Sequence, residues 1–480
     1  MKHFAALLFA FCVACPAYGQ ITKFTHIIVV VQENRTPDNL FQGLCKPPYG
    51  TAASCSTTPS ATQYDILTNN WVDGASTVTP GTVPLAGPYD LGHSHGSWVS
   101  MCDLTAGACK MDGAAKIVCG PTASCPTTPQ FRYVDNSAGI VNPYLDLATS
   151  YGWANYMFQT NQGPSFPAHQ FLFGGTSAPS ALDDSKGIFA AENMKSTGIG
   201  GTGAVAGCTA TNGSGGTPST TVELIKPPGV ESSSVYPCFE HETMADLFPP
   251  TVTWRYYSPS AGSIWTAPNA INHICFSTGP GGTCVGPDWT KNVDLVPADV
   301  LTDISACNLR SVSWVIPTGQ NSDHADDNDG GGPSWVASIV NAIGSNTTCD
   351  GKGYWKDTAI FIVWDDWGGW YDHVPPTILS GNQGDYQYGF RVPMIVVSAY
   401  TPKGTINNAR HDFGSILRFV ESNFGIELGS LNFADARSAT SLAGFFQLST
   451  APRTFTTVAA PLSASFFLND KRPVKDPDTE

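Results

Sequence analysis

Acidic side chains and a histidine are concentrated in the stretch Trp364–His373, which reads WDDWGGWYDH. Asp365 and Asp366 are adjacent acids, and their repulsion is costly unless a cation or a proton offsets it. His373 supplies a group that can exchange a proton near neutral pH. This combination predicts a metal-centred hydrolytic site. The alternative interpretation is an acidic turn at the protein surface.

A second set of oxygen ligands, Glu33 and Asn34, follows a strongly apolar run near the amino end of the sequence. A carboxylate and a side-chain amide are suitable ligands for a hard cation. Arg35 comes next and can pair with a phosphate or a carboxylate. An ordinary exit from a strand into a loop would have a similar composition, so both interpretations stay open here.

Ser165 lies two residues before Pro167, which is typical of the first turn of a helix. Free amide groups and the helix dipole at such a position attract an anion. A serine there can attack phosphorus as a nucleophile, or it can only cap the helix.

Three further histidines are candidates for contacts to a substrate or a metal. His93 and His95 are two residues apart, which places both on one side of an extended segment. His324 follows a strand-like run. Ser94 forms part of a Gly-x-Ser-x-Gly match, but that motif needs a strand before it, and two prolines precede it here. We therefore interpret this match as accidental.

The candidate residues follow the elements that must position them. Apolar and β-branched runs predict strands at residues 25–31, 254–257, 312–317, 359–363 and 392–398. Apolar periodicity predicts helices at residues 140–153, 333–343 and 413–421. This alternation favours an α/β fold with a largely parallel central sheet flanked by helices. Such sheets bind their ligands beyond the carboxyl ends of the strands, where Glu33 and Asp365 are expected.

The composition excludes one class of function and indicates a compartment. Of the 480 residues, 42% are hydrophobic and 13% are charged, and the net charge of −15 argues against a nucleic-acid-binding surface. Residues 1–19 have the basic start, apolar run and small residues of a signal peptide, which predicts a secreted or periplasmic protein. No other apolar run is long enough to be a transmembrane segment.

The cysteines and the composition of the loops suggest how the chain is divided. Cys12 and Cys15 lie in the predicted signal peptide, and twelve of the 14 cysteines remain, an even number that favours disulfide bonds. The sequence leaves their connectivity open. We expect one catalytic domain at 20–448, with disulfide-tied loop insertions near 44–82 and 196–221, and a polar tail at 449–480.

Five blocks of the chain resemble a bacterial phosphoesterase family that contains secreted phospholipases C and acid phosphatases, within the alkaline-phosphatase-like superfamily. They occur in the family's order: Gln32–Arg35, Asp90–His95, Gly163–Ser165, Ser322–His324 and Asp365–Pro376. The last block is the most specific. The chain departs from the family at Asp323-His324-Ala325, where Glu-His-Pro is frequent, and at Asp366, where many phospholipases C have Glu. Both departures bear on the choice of substrate.

The resemblance implies an alkaline-phosphatase-like fold and one divalent metal ion bound by Glu33, Asn34, Asp365 and Asp366. Oxygen ligands favour Ca²⁺, Mg²⁺ or Mn²⁺, and nearby histidines also admit iron or zinc.

The resemblance also implies roles for residues around the phosphoryl group. Ser165 is expected to be the nucleophile, and three catalytic histidines are expected on the phosphate and leaving-group side: His95, His324 and His373. Arg35 and His93 are expected to contact the substrate.

The predicted function is hydrolysis of a phosphate monoester or diester. The expected partner is a small phosphate ester or a phospholipid head group, with transient contact to a membrane surface and no binding of nucleic acid. Two alternatives stay open. One is an exported serine carboxylesterase that uses Ser94, and the other is a non-catalytic exported protein that binds calcium through its acidic loops. Chelation separates the first alternative from the prediction, and ester turnover separates the second.

Overall fold

The protein is described from a computed structural model that covers residues 21–105, 108–120, 125–197, 205–211, 219–376, 388–438 and 440–475. The predicted signal peptide at 1–19 lies outside these residues, as do parts of the predicted insertion at 196–221. No helix among the described residues has both the length and the hydropathy that a membrane crossing requires.

A central sheet of eight strands organises the described chain. In chain order the strands are β1 (His26–Gln32), β2 (Gly152–Phe158), β3 (Trp254–Tyr257), β4 (Val293–Asp294), β5 (Val312–Val315), β6 (Thr358–Trp364), β7 (Met394–Ser398) and β8 (Thr405–Asp412). Their spatial order is β4-β3-β5-β1-β6-β7-β2-β8. Among these described strands, only β7 runs opposite to the others. The prediction of a largely parallel sheet is confirmed.

The centre of the sheet is formed by two strongly apolar runs of the sequence. Every residue of β1 and of β6 is buried. The two strands pair in parallel with Gln32 opposite Trp364. Because parallel neighbours end at the same edge, the next residues on each strand, Glu33 and Asp365, leave the sheet side by side.

Helices cover both faces of this sheet, as a parallel sheet requires. Phe361 of β6 contacts Phe419, with 5.0 Å between ring centroids, and Trp364 contacts Tyr144 at the same separation. Phe361 and Trp364 are three residues apart on one strand, so they point to opposite faces. The helices are α1 (Pro37–Leu40), α2 (His95–Cys102), α3 (Asn142–Ser150), α4 (Ser165–Gly174), α5 (Ala181–Asp184), α6 (Asn272–Cys275), α7 (Pro287–Asn292), α8 (Asp299–Ser305), α9 (Gly332–Ser345), α10 (Phe413–Phe424), α11 (Ala434–Arg437) and α12 (Ala464–Leu468).

The predicted helix at 140–153 is too long, and its last residues belong to a strand. Helix α3 ends at Ser150, and β2 begins at Gly152. Gly152 pairs with Val396 of β7 and with Thr405 of β8, and the space beside its Cα is filled by Phe445. These contacts come from distant parts of the chain, which local periodicity does not report.

Six disulfide bonds tie loops that lie outside the sheet, which confirms the prediction of disulfide-tied loops. Each joins cysteines close in sequence, with separations between 6 and 42 residues. The pairs are Cys45–Cys55, Cys102–Cys109, Cys119–Cys125, Cys208–Cys238, Cys275–Cys284 and Cys307–Cys349.

Smaller sheets occupy the inserted loops. The largest of those described has four short strands: Phe189–Ala190, Lys195–Thr197, Ser219–Lys226 and Val230–Val235. Three strand pairs lie elsewhere: Trp71–Asp73 with Ser76–Val78, Gly81–Val83 with Arg132–Val134, and Leu104–Thr105 with Ala108–Cys109. The four-stranded sheet, called here the insertion sheet, lies beside the region expected at 196–221.

The carboxyl-terminal segment, residues 449–475, packs against the core although it contains one helix and little other regular structure. Asn341 of α9 and Val458 exchange two hydrogen bonds of 2.8 Å. Phe467 of α12 is 3% exposed and contacts Trp335 of α9, with 5.2 Å between ring centroids.

Phe467→Ala is expected to lower the free energy of unfolding by about 3 kcal/mol, because it leaves a cavity against Trp335. Phe466 is the matched control, since it is 36% exposed, and its alanine variant is expected to change stability by less than about 1 kcal/mol. Urea unfolding of both variants measures the difference. Equal losses would contradict the packing described for this segment.

Candidate active site

The candidate site lies at the carboxyl ends of β1 and β6, where two loops are joined by backbone hydrogen bonds. The amide of Asp365 donates to the carbonyl oxygen of Gln32 at 2.9 Å. The amide of Arg35 donates to the carbonyl oxygen of Asp366 at 3.0 Å. The Asn34 amide donates to Asp365 Oδ1 at 3.1 Å. The predicted ligands Glu33, Asn34, Asp365 and Asp366 are therefore brought together, and all four are buried.

Backbone geometry makes this close approach possible. Asn34 adopts a left-handed conformation with φ of 60°, which Asn tolerates better than most residues. Gly368 has φ of 59°, and a Cβ at this position would lie 2.5 Å from the carbonyl oxygen of Asn34. A glycine is therefore needed where the two loops cross.

His169 of α4 joins these residues, although the sequence analysis did not select it. Its Nε2 lies 3.3 Å from Glu33 Oε1 and 3.7 Å from Asp365 Oδ2. On the other side of the ring, Nδ1 lies 3.5 Å from the hydroxyl oxygen of Tyr256, whose proton goes to the carbonyl oxygen of Trp265 at 2.7 Å. Tyr256 therefore accepts from Nδ1, and Nε2 keeps its lone pair. A sequence signal existed, because His169 is one helical turn after Ser165.

The possible ligand atoms of this site fit a cation. Five buried atoms converge here without a hydrogen-bond partner among the described residues: Glu33 Oε1 and Oε2, Asn34 Oδ1, Asp365 Oδ2 and His169 Nε2. Ligand atoms of Glu33, His169 and Asp365 lie within 4.8 Å of one another. Buried polar atoms are rarely left unpaired, and all five of these carry lone pairs that a metal ion can accept.

The protonation equilibria of the site reflect its burial. Burial raises the pKa of Glu33 well above its ordinary value. Burial, together with the charge of the neighbouring carboxylate, raises the pKa of Asp365 and of Asp366 to about 7. Burial lowers the pKa of His169 to about 4, so this ring is neutral at pH 7. The acids resist ionisation together, and a bound cation would offset the charges that oppose it.

Ser165 begins α4 and lies against the acids. Its Oγ donates to Asp366 Oδ2 at 3.3 Å, and the residue is 1% exposed. The next amide of the helix, that of Phe166, donates to Asn193 Oδ1 at 3.0 Å. The expectation that the helix amides are available to an anion therefore does not hold for Phe166.

His93 and His324 lie together beside the acids. In each ring Nδ1 is 2.7–2.8 Å from a backbone carbonyl oxygen, that of Leu91 or Ala325, so Nδ1 carries the proton. Asn34 Nδ2 donates to His93 Nε2 at 3.2 Å, which leaves Asn34 Oδ1 for a cation. The two rings are 5.9 Å apart between centroids.

His95 lies at the start of α2 and contacts two acids that the sequence analysis did not select. Its Nδ1 is 2.7 Å from Glu231 Oε1 of the insertion sheet, and its backbone amide donates to Glu192 Oε1 at 3.0 Å. Both acids are distant in sequence, so no local pattern relates them to His95.

His373 contacts a separate buried network. Its Nδ1 donates to Asp38 Oδ2 at 2.7 Å and its Nε2 donates to Asp65 Oδ1 at 2.9 Å. Arg391 donates to both carboxylate oxygens of Asp372, at 3.0 and 2.9 Å. Burial alone would lower the pKa of His373, but the charge of Asp38 and the hydrogen bonds to Asp38 and Asp65 outweigh it and raise the pKa to about 10.

These contacts bear on the predicted catalytic role of His373. Both ring nitrogens are bonded to carboxylates, and none of the hydrogen bonds described for this residue reaches Ser165, Asp365 or Asp366. The role of His373 in a reaction stays a prediction. Its contacts indicate that it holds the loop after β6 against Asp38 and Asp65.

Arg35, predicted to contact a substrate, uses its donors within the protein. Nε donates to the carbonyl oxygen of Asp323 at 2.9 Å, and Nη2 donates to that of Leu85 at 2.9 Å. Nη1 donates to Asn39 Oδ1 at 3.3 Å, and the residue is fully buried. Its contacts indicate that it joins β1 to the loop that carries His324.

Ser94 caps α2, which agrees with the interpretation of the Gly-x-Ser-x-Gly match as accidental. Its Oγ accepts the amide hydrogen of Ser97 at 3.2 Å and donates to Ser97 Oγ at 3.3 Å. Its described hydrogen bonds include none to a histidine. No strand of the described chain immediately precedes it, unlike in a nucleophile elbow.

Comparisons with known proteins agree with the blocks found in the sequence. The model of the Phosphoesterase family matches residues 24–427. The non-hemolytic phospholipase C of Pseudomonas aeruginosa is 26% identical over 203 residues, which are 36% of this chain and 28% of that protein. Phospholipase C A of Mycobacterium tuberculosis is 26% identical over 155 residues, or 28% of this chain and 29% of that protein. The chain thus spans less than a third of the length of these two relatives.

Two further matches extend over more of the chain at lower identity. The hemolytic phospholipase C of Pseudomonas aeruginosa is 22% identical over 325 residues, which are 60% of this chain and 39% of that protein. A solved structure from Vibrio parahaemolyticus, a protein in the alkaline phosphatase superfamily, is 10% identical and matches with a TM-score of 0.34, covering 64% of this chain and 66% of that one.

His373→Gln is expected to remove a pH-dependent part of the stability. The pKa of this histidine is raised in the folded protein, so its contribution is full below about pH 6.5, the ordinary value for histidine, and is lost as the pH rises through about 10. Between these limits the free energy of unfolding of the wild type should fall by on the order of 3 kcal/mol more than that of the variant, as for a broken buried ion pair. Urea unfolding from pH 6 to pH 10 measures this. Parallel curves for the two proteins would contradict it.

Proposed function

Since the chain belongs to the Phosphoesterase family, we propose that it is a metal-dependent phosphoesterase with Ser165 as its nucleophile. One observation carries the proposal. Five atoms of Glu33, Asn34, Asp365 and His169 that can bind a metal ion, and that have no hydrogen-bond partner among the described residues, converge beside Asp366. The Ser165 hydroxyl is hydrogen-bonded to Asp366.

Glu33, Asn34, Asp365 and Asp366 would hold one divalent cation, with His169 as a further ligand. When bound, the cation lowers the pKa of a coordinated hydroxyl and offsets the charge on the transferred phosphoryl group. The oxygen ligands favour Ca²⁺, Mg²⁺ or Mn²⁺, and the nitrogen of His169 also allows iron or zinc to bind.

Ser165 attacks phosphorus through Oγ, which Asp366 Oδ2 orients at 3.3 Å. A new bond forms between Oγ and phosphorus, the hydroxyl proton passes to Asp366 Oδ2, and the bond from phosphorus to the ester oxygen breaks. The departing oxygen takes a proton from a histidine, for which we assign His95. Water then attacks the phosphoserine and gives one proton to His95, the bond from phosphorus to Oγ breaks, and Asp366 returns the proton to the oxygen of Ser165.

His93 and His324 lie on the side where the non-bridging oxygens of the substrate would bind. Each ring is fixed by its Nδ1 hydrogen bond to a backbone carbonyl oxygen, so its Nε2 is presented in one orientation. When protonated at Nε2, the His324 ring can donate to a phosphoryl oxygen, whereas His93 Nε2 accepts the Asn34 Nδ2 hydrogen and holds that ligand in place.

The substrate class follows from the family and from the named relatives. A phosphate monoester or diester, including a phospholipid head group reached by transient contact with a membrane surface, suits the proposed chemistry. Three of the relatives described above are named phospholipases C. Six disulfides are consistent with a secreted or periplasmic protein.

Ser165→Ala is expected to lower phosphoester turnover by at least about 10⁴-fold, as for loss of a covalent nucleophile. Ser94→Ala is the matched control and should keep near-normal turnover, because Ser94 caps a helix. The substrates are para-nitrophenyl phosphate, bis(para-nitrophenyl) phosphate and phosphatidylcholine vesicles. Acid quenching followed by mass spectrometry should detect phosphate on Ser165 of the wild type.

Metal removal tests whether turnover requires a bound divalent cation. Exhaustive chelation should abolish turnover, and a divalent cation should restore it, while Ser165→Ala should still bind the metal. A reversed pattern, with Ser94→Ala inactive and chelation harmless, would replace the proposal with the carboxylesterase. Cation binding without ester turnover would favour the calcium-binding protein.

A further inference from the structure

His95 is held by an acid from the insertion sheet, outside the central sheet that carries the candidate metal ligands. Glu231 belongs to the strand Val230–Val235, and its Oε1 lies 2.7 Å from His95 Nδ1. The side chain of His95 is 4% exposed and that of Glu231 is 29% exposed. A contact this short between a buried ring and a carboxylate fixes the ring's orientation.

The hydrogen bond to Glu231 also fixes which nitrogen of His95 is free. A carboxylate accepts, so Nδ1 carries the proton and Nε2 is the atom left for other contacts. His95 Nε2 is buried and has no hydrogen-bond partner among the described residues. The ring lies parallel to that of Trp98, with an interplanar angle of 6°, which further limits its rotation.

Hydrogen bonds connect the segment of His95 both to the candidate metal ligands and to the turn that carries Ser165. Two residues earlier, His93 accepts a hydrogen bond from the candidate ligand Asn34. On the other side, the backbone of His95 is bonded to Glu192, and the neighbouring Asn193 accepts the amide hydrogen of Phe166, the residue after Ser165.

The turn that carries Ser165 lies directly against the segment that holds His95. A Cβ at Gly163 would overlap the carbonyl oxygen of Ala191, which shows how closely the two backbones approach. Glu192, which accepts the backbone amide hydrogen of His95, directly follows Ala191, and the Nε2 of His95 is buried.

We propose that Glu231 is a positioning residue, which orients His95 so that Nε2 delivers its proton to the leaving oxygen of the substrate. As the bond from phosphorus to that oxygen breaks, the proton moves from Nε2 to the oxygen, and the ring becomes neutral with its remaining proton on Nδ1. Glu231 accepts the Nδ1 hydrogen bond throughout, so the ring keeps its orientation while Nε2 loses the proton. This inference rests on the proposed phosphoesterase function.

The pKa shifts of the two acids that contact His95 agree with the role proposed for Glu231. The hydrogen bond from His95 lowers the pKa of Glu231, which keeps this carboxylate ionised. Burial and the charge of Glu231 raise the pKa of Glu192 to about 8, so Glu192 is the acid that holds a proton at pH 7. Lys195 and Glu223 form an ion pair of 2.7 Å beside them.

Glu231→Gln keeps the size of the side chain but removes its charge. The test compares the rates of this variant on two substrates that differ in their leaving groups. Phenyl phosphate needs a proton on its leaving oxygen more than para-nitrophenyl phosphate does. We expect kcat/KM for phenyl phosphate to fall roughly 100-fold and kcat/KM for para-nitrophenyl phosphate to fall less than about 10-fold. The ratio kcat/KM reports the departure of the leaving oxygen, whereas kcat also includes the hydrolysis of phosphoserine, which is common to both substrates. A loss of fold or of metal would lower both rates equally.

A double-mutant cycle with His95→Asn supplies the second measurement. The double variant is expected to be no slower on phenyl phosphate than His95→Asn alone, because Glu231 acts only through His95. Glu231→Asp keeps the carboxylate and should recover part of the lost rate. Glu240→Gln is the matched control and should have wild-type kinetics, since Glu240 contacts His273 Nδ1 at the same 2.7 Å on an exposed surface.

Equal losses on the two substrates, or fully additive losses in the double variant, would overturn the role assigned to Glu231. Wild-type rates for Glu231→Gln on both substrates would overturn it as well. Failure of the proposed function is a different result, because the wild type itself would then show no metal-dependent turnover of either phosphate ester.

Discussion

The burial of like charges is the constraint on which the candidate site depends. Glu33, Asp365 and Asp366 are all fully buried, and burial raises the pKa of each. Taking even one carboxylate out of water costs several kcal/mol, and the described residues place no Lys or Arg in an ion pair with these three. A cation removes this cost and satisfies the unpartnered oxygens at once. A proton shared by Glu33 and Asp365 is the competing way to offset the repulsion, and it would leave Asn34 Oδ1 and His169 Nε2 unpaired.

The fold is suited to holding such a site because parallel strands end together. The register between β1 and β6 places Glu33 beside Asp365, and the hydrogen bond from the Asp365 amide to Gln32 fixes their separation. Helix α4 then contributes both Ser165 and His169 from one face, four residues apart. The contacts of Arg35 and His373 hold the loops that carry these groups, and these hydrogen bonds offset the cost of burying both polar side chains.

Much of this arrangement could be predicted from the sequence, and the remainder could not for identifiable reasons. Continuous β-branched runs predicted β1 and β6, and the acids at their ends predicted where the site lies. The helix predicted at 140–153 was too long because the contacts of Gly152 with β7 and β8 are not local. Glu231 was missed because it reaches His95 from 136 residues away. The roles that the resemblance implies for Arg35 and His373 stay predictions, and the sequence did not show that the described donors of both side chains are used within the protein.

The most direct test of the account is the location of a bound cation. Crystals of the manganese-loaded protein would give an anomalous difference map at the manganese absorption edge. The account predicts one peak, roughly 2.0–2.6 Å from oxygens of Glu33, Asn34 and Asp365, with His169 Nε2 among its neighbours. A map with no peak there, or with its peak only in the network of Asp38, Asp372 and His373, would contradict it.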